Sequence, residues 1–284
     1  MKICAMTMVY KDYWALSQWY EHHGRQIGCQ NLFVVSHGAD DQISKICPEA
    51  HITTIPRDDL QGFDRKRGLL LDAFQDSLLK DYDWVIRTDA DELICAENGL
   101  HDLLLENSNA PVLFAVGFDL VEQYGDSSLV GQSVFKSRKS VAFSGHYSKA
   151  VAFQRPLPLK LHGVSVPLEE LEKFPFSMPR GLFLAHLKYA NFDVLEEATK
   201  VRSTVANGFG PGLPGAGWKN AEEDAEKFLM AFVSKRPRPW DVAEQKAYRR
   251  LSIKPNREPR QSLVKTRALK FDFRTELPVW FANQ

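Results

Sequence analysis

Apolar and polar positions alternate along the first hundred residues in a rhythm that predicts strand, helix and strand in turn. ICAMTMV (residues 3–9) is a short apolar run, and residues 14–27 continue with the recurrence of an amphipathic helix. NLFVVS is β-rich and ends in the turn-like HGADD, and HITTI is a further short strand. Over 63–79, FDRKRGLLLDAFQDSLL sets Leu70, Phe74, Ser77 and Leu78 at helical spacing. DWVIRTD then returns to period two, with Trp84, Ile86 and Thr88 facing one way and Val85 and Arg87 the other. Such a βαβαβ rhythm with short connections predicts a mainly parallel sheet covered by helices. Sites in these sheets lie outside the carboxyl ends of the strands.

After Pro111 the pattern shortens. VLFAVGFDL, SVFKS, SVAFS, KAVAFQ and GLFLAH, separated by turn signals, predict strands added antiparallel to the sheet. Residues 207–218, NGFGPGLPGAGW, hold five glycines and two prolines and predict a loop. Residues 218–250 read as helical with a break at RPRPW, and the last thirty residues, weakly periodic, are expected to drape over the domain. The fold class expected is α/β: a mostly parallel central sheet flanked by helices with antiparallel additions over residues 1–205, then the Gly-rich loop and a helical extension over 206–284.

Charge changes this picture in one place. Lys plus Arg equals Asp plus Glu at 36 each, which argues against a general nucleic-acid binder. Between Lys235 and Arg274, however, thirteen basic residues stand against four acids. That region is expected to be a solvated basic face, or to make peripheral contact with an anionic membrane surface or substrate. Cys4, Cys29, Cys47 and Cys95 show no CxxC pair and no zinc spacing, as in reduced thiols of a cytoplasmic protein. MKICAMTMVYKDYW reads as a strand rather than a signal peptide, since Lys11 and Asp12 interrupt it, and no apolar run reaches membrane-spanning length.

The candidate chemistry sits in WVIRTDADEL, where an apolar run ends in Asp89, Asp91 and Glu92. Three carboxylates this close repel one another unless something positive lies among them. In an extended segment Asp89 and Asp91 project to the same side, a spacing that lets two oxygens converge on Mg²⁺ or Mn²⁺. Acids in this pattern also serve as the cap and first turn of a helix. Their place at the end of a strand, on the functional edge of the sheet, favours the metal.

WVIRTDADEL resembles the W-hydrophobic-x-x-D-x-D-E-hydrophobic signature of family 2-like glycosyltransferases with a GT-A fold. KICAMTMVYKDYWALSQWYEHHGRQIGCQNLFVVSHGADD resembles that family's opening strand, helix and second strand, while SGHYSKAV, LHGVS and AHLKYANFD resemble later blocks. Tyr10-Lys11-Asp12 departs from the K-N-E often found there. The resemblance implies transfer of a sugar from a nucleotide-sugar donor, a UDP-sugar as first choice, to a hydroxyl of a glycan or lipid-linked acceptor with inversion. It also implies a divalent cation (Mn²⁺ or Mg²⁺) held by Asp89 and Asp91 against the donor diphosphate, with His186 as third ligand and His162 as its rival. A cation there would stabilise the charge on the leaving diphosphate.

Further candidates follow from position. An inverting transfer needs a base for the acceptor hydroxyl, and Asp119 and Glu122 in GFDLVEQYGD are nearest in the chain, ahead of Asp126. Solvated loop acids would look the same. Donor contacts are expected from Val9 at the end of the first strand and from Asp40 after the second, the latter equally suited to turn capping. Arg65, Lys66 and Arg67 open a helix where phosphate can bind, and Lys149 lies within SGHYSKAV. His22 and His23 are adjacent on a helix and cannot converge on one metal; at least one faces the core. The GxGxxG at Gly210, Gly212 and Gly215 follows no strand and contains Pro211 and Pro214, so it fits a flap better than a dinucleotide fingerprint. Trp218 at its edge could stack on a sugar or anchor the loop.

The rival enzyme is a nucleotidyltransferase, which would want a Gly-rich, basic loop after the first strand; MTMVYKDYW has no glycine. A metal-dependent hydrolase is more distant. The contrasting class is a non-catalytic binding module of the same fold.

Overall fold

The computed structural model describes residues 1–57, 62–129, 132–207 and 220–284. Three βαβ units open the chain. They are built from β1 (Ile3–Val9), α1 (Tyr13–Ile27), β2 (Leu32–His37), α2 (Asp41–Ile46), β3 (His51–Ile55), α3 (Phe63–Leu78) and β4 (Trp84–Arg87). Then follow β5 (Glu92–Ala96), α4 (Leu100–Glu106), β6 (Val112–Phe114), β7 (Val116–Val121), α5 (Val134–Ser137), β8 (Ser140–Phe143), β9 (Ala150–Phe153), β10 (Leu159–Lys160) and β11 (Gly163–Ser165). The chain continues through β12 (Leu182–Tyr189), α6 (Phe192–Ala206), α7 (Ala221–Ser234), β13 (Arg236–Pro237), α8 (Trp240–Ser252), β14 (Asn256–Glu258), β15 (Leu263–Lys265) and β16 (Phe273–Glu276).

One six-stranded sheet runs β3-β2-β1-β4-β9-β6, parallel from β3 to β4 and antiparallel beyond. This is the expected class, a mixed α/β fold with a mostly parallel sheet, flanking helices and antiparallel additions. β1 is buried on both faces. Cys4, Met6 and Met8 meet Leu71 and Leu78 of α3, while Ile3 and Ala5 join the larger cluster with Leu16 and Trp19 of α1. The chain leaves β1 toward β2 on one side and returns as β4 on the other, so the switch point lies between the ends of β1 and β4, where α/β sheets open a crevice.

A second sheet, β13-β16-β8-β7-β12-β5, carries the residues after Asp89. β12 is its hinge piece, pairing antiparallel with β5 and parallel with β7. VLFAVGFDL, expected as one strand, divides into β6 and β7 and serves both sheets. Ala115 N–H donates to the Lys149 carbonyl at the break. Gly117 lies so close to residue 147 that a Cβ would stand 2.3 Å from the Tyr147 carbonyl. SVFKS, expected as a strand, is the short α5. Gln18 accepts from Val134 N–H at its start, and Phe135 is buried against Phe281.

The C-terminal residues do more than drape. β14 and β15 complete a small antiparallel sheet with β10 and β11, β16 joins the second sheet, and Phe271, Phe273 and Phe281 enter the main core. Their strands are three or four residues long, too short to show a period.

His22 and His23 both face the core and fasten α1 to β5. His22 donates from Nε2 to the Ile94 carbonyl at 2.7 Å, and His23 Nε2 accepts from Ile94 N–H at 3.4 Å. Burial, and then Arg25, pushes the His22 pKa down to about 4 despite the Ile94 bond. Unfolding frees this ring to bind a proton at its ordinary 6.5, so its contribution is fully present above pH 6.5 and is lost as pH falls toward 4. The loss expected from His22 is about 3 kcal/mol. Urea denaturation at steps from pH 7.5 to 4.5 checks this. His22→Gln flattens the slope, and a constant stability in the unaltered chain would contradict it.

Candidate functional site

The acid cluster lies at the end of β4, and its geometry begins with a turn. Glu92 N–H donates to the Asp89 carbonyl at 3.1 Å, and the Glu92 carboxylate accepts from Asp89 N–H at 2.9 Å. Asp89 and Asp91 therefore do not share one side of an extended strand. The turn sends them to different partners, which corrects the expectation drawn from their spacing. Trp19 fixes the approach by donating from its indole to Thr88 Oγ1 at 2.8 Å.

Positive charge reaches Asp89 and Glu92 from two directions. Arg67, on the first turns of α3, pairs with Asp89. Lys149, 3% exposed, places Nζ 2.7 Å from Glu92 and 3.4 Å from Asp89. Burial works against the Lys149 charge, but Glu92 and Asp89 outweigh it and raise its pKa. Burial likewise opposes the Asp89 charge, and Arg67 with Lys149 overcomes it, holding the carboxyl well below the usual range. Arg87, the arginine inside the apolar strand, takes no share in this. It donates to Asp72 at 2.5 Å and to Gln75 at 3.4 Å, both on α3.

Asp91 faces His186. The pairing of β12 with β5 and β7 sets His186 beside both Glu92 and Asp119. His186 Nδ1 lies 2.7 Å from Asp119 Oδ1, and Nε2 lies 3.4 Å from Asp91 Oδ2. Tyr147 stacks on the imidazole at 3.6 Å between centroids. Burial opposes the imidazolium, yet the bonds to Asp119 and Asp91 prevail and raise its pKa to about 9.

Among the described residues, no group of three or more His, Cys, Asp or Glu is arranged to hold a metal. Asp91 and His186 nonetheless fit a smaller share of one. Two ligands at about 2.1 Å from a single cation stand roughly 3–4 Å apart, and the Asp119 carboxylate behind Nδ1 would leave Nε2 to such a cation in the way metal-binding histidines are oriented. Asp89 is occupied by Arg67 and Lys149 instead.

These groups open onto a cleft of about 780 Å³ at the switch point, bounded on its far side by α6 and α7. Val9 lines it, as do Arg67, Asp89, Asp91 and His186 from the expected set. Arg65 and Lys66 sit on the exposed outer turn of α3, outside the lining. Asp40 also stands behind it, capping α2 through Gln42 N–H and accepting from the Tyr13 hydroxyl at 2.8 Å. Neither acid expected as the base reaches the cleft. Asp119 is 3% exposed and committed to His186, while Glu122 is bonded to Arg138 at 2.8 Å and to Phe192 N–H at 2.7 Å at the start of α6. Asp126 accepts from Gln123 N–H. His162 lines the cleft but bonds the His146 carbonyl rather than joining Asp91 and His186. Gly210, Gly212, Gly215 and Trp218 lie outside the described residues.

Sequence reasoning missed a second group on this wall. Arg57 stacks over Tyr10 at 3.4 Å and bonds His37 Nδ1 at 2.7 Å, at the ends of β1, β2 and β3. Burial, then Arg57 and Arg67, holds His37 neutral with a pKa of about 4. Lys11 adjoins them with φ +51 and also lines the cleft, as does Lys188. The signal for this group was the position of Tyr10, Lys11 and His37 at strand ends.

No family model matches the chain, and no curated protein matches it. Several solved structures are similar in part. A 4-diphosphocytidyl-2C-methyl-D-erythritol synthase aligns over 63% of this chain and 88% of its own at 15% identity and TM-score 0.37. A CMP:2-keto-3-deoxy-manno-octonic acid synthetase complexed with CTP covers 81% and 86% at 14% identity and TM-score 0.28. A mannosyltransferase from S. cerevisiae covers 43% and 40% at 13% identity and TM-score 0.27. At these TM-scores none of them decides a reaction.

Proposed function

We propose that this cleft binds a nucleotide-sugar, a UDP-sugar first, and that the chain transfers the sugar to a hydroxyl of a glycan or glycolipid acceptor, with the inversion that family 2 resemblance implies. The observation that carries this reading is the Asp91–His186 pair, backed by Asp119, opening onto a cleft whose walls supply Lys11, Arg57, Arg67 and Lys188. One wall offers two ligands, and the other walls offer cations for phosphate oxygens. A divalent cation on Asp91 and His186 would act as a Lewis acid for the departing diphosphate. The imidazole donor suits Mn²⁺ better than Mg²⁺, which prefers oxygen. Arg67, already oriented by Asp89, is placed to bind a phosphate oxygen as a fork. Tyr147 over His186 keeps water from that side of the ring.

A second reading, nucleotidyl transfer, has its own support. Lys11 takes a left-handed backbone conformation directly after β1, where such an enzyme needs a basic loop, and the number of cations suits a triphosphate. Products separate the two. The chain is incubated with Mn²⁺, octyl β-glucoside and UDP-, GDP-, CDP- and dTDP-sugars, and separately with nucleoside triphosphates and sugar 1-phosphates. The expected result is nucleoside diphosphate and a new octyl glycoside in equal amounts. Release of pyrophosphate from the second mixture would favour nucleotidyl transfer, and nucleotide binding with no product from either would favour a binding module.

A further inference from the structure

Among the groups lining the cleft that the reading above leaves unused is His162, on the wall that also carries His146 and Tyr147. We propose that His162 is the base that takes the acceptor's proton, an assignment that rests on the proposed sugar transfer. Asp119 and Glu122 are spent on His186 and on Arg138, so neither can reach a hydroxyl in the cleft. Glu197 and Asp224 do line it, but they stand exposed on α6 and α7, where a solvated carboxylate has no fixed aim.

His162 has one. Its Nδ1 lies 2.7 Å from the His146 carbonyl oxygen, which can only accept, so the ring proton sits on Nδ1 and Nε2 presents its lone pair. No described residue hydrogen-bonds Nε2. The backbone holds this orientation against its own preference. Leu161 and His162 both take left-handed conformations, with φ +48 and +68. Strain of this kind persists where the surroundings over-determine it, and it gathers at functional sites. Here the surroundings are tight, because Gly163 lies against β15, where a Cβ would stand 2.4 Å from the Val264 carbonyl. Tyr147 adjoins both histidines, its ring 3.6 Å from that of His186 and 6.4 Å from that of His162 between centroids, so the imidazole and the Asp91–His186 pair share one aromatic neighbour.

The charged groups facing His162 are Lys149, His146 and Asp89. Burial, then Lys149, keeps the ring neutral, with a pKa of about 4. Negative charge on a bound diphosphate offsets Lys149 and raises the ring's basicity when the donor is in place. In the step itself the acceptor O–H proton passes to Nε2 as the acceptor oxygen bonds the anomeric carbon. The bond from that carbon to the diphosphate oxygen breaks, and its electron pair leaves with the diphosphate. The imidazolium that results keeps its Nδ1–H bond to His146.

His162→Gly tests the assignment, because φ +68 suits glycine and the fold should be retained. Calorimetry reads UDP affinity with Mn²⁺, and initial rates read transfer to octyl β-glucoside from the UDP-sugar that turns over. Expected are an unchanged UDP affinity, a turnover lower by about 10²- to 10⁴-fold, and recovery of at least about tenfold on adding imidazole, with no gain in the unaltered chain. Turnover near that of the unaltered chain, a parallel loss of UDP affinity, or a loss that imidazole leaves untouched would overturn the role of His162. An unaltered chain that neither binds UDP nor transfers sugar would instead overturn the function on which the role depends.

Discussion

Asp91→Asn is expected to lower sugar transfer by about 10³-fold, roughly 4 kcal/mol of barrier, with little change in folding. Asparagine keeps the shape of the side chain and a carbonyl oxygen toward His186 but removes the charge that a cation needs. The fold has small stake in that charge, because His186 is held from its other nitrogen by Asp119 at 2.7 Å and by Tyr147 stacked on its face. The Asp91 carbonyl continues to accept from Leu187 N–H, a backbone bond indifferent to the substitution. Initial rates across a Mn²⁺ titration check this. A variant with wild-type turnover and unchanged Mn²⁺ dependence would remove Asp91 from the site.

Lys149→Met carries the largest expected effect on stability, a loss of about 3–5 kcal/mol, since removing one partner of a buried pair strands the other. Glu92 is 1% exposed, and without Lys149 its carboxyl must either stay charged with no counter-ion or take up a proton, toward which burial already drives it, while Asp89 would retain Arg67 alone. For a chain of this size the melting temperature should fall by about 10 °C. Adding Glu92→Gln to the methionine variant removes the stranded carboxyl and should recover much of the loss. Thermal unfolding of the single and double variants decides it. A double variant no more stable than Lys149→Met would mean that lysine packing, not charge, carries the effect.

Local pattern revealed those parts of this fold whose cause is local. β1, α1, β2, α3 and β4 each show their own period, and their order places Asp89 to Glu92 at the edge of a parallel sheet. What periodicity does not contain is register across the second sheet. Asp119 looked like a loop acid near the acceptor, yet β7 pairs with β12 so that Asp119 stands behind His186. Glu122 looked equally free and instead anchors Arg138 and the start of α6. Lys149 was recognisable as a candidate, but its contact with Glu92 spans 57 residues and depends on where the chain turns before β9. The Asp89 and Asp91 spacing misled because a turn of four residues, not a strand, follows Arg87. The likeness to family 2 rests on ordered sequence blocks.

On the proposed function this cleft binds a nucleoside diphosphate through a cation on Asp91 and His186. The direct measurement is calorimetric titration of the chain with UDP, then GDP and CDP, in Mn²⁺ and again in EDTA. Because His186 is charged at neutral pH and must lose its proton to hold a metal, binding should also release a proton, seen as a heat that varies with the buffer. One nucleotide is expected to bind tightly in Mn²⁺, with release of that proton, and the binding is expected to be lost in EDTA. Binding of equal strength in EDTA, or of no nucleotide under either condition, would contradict it.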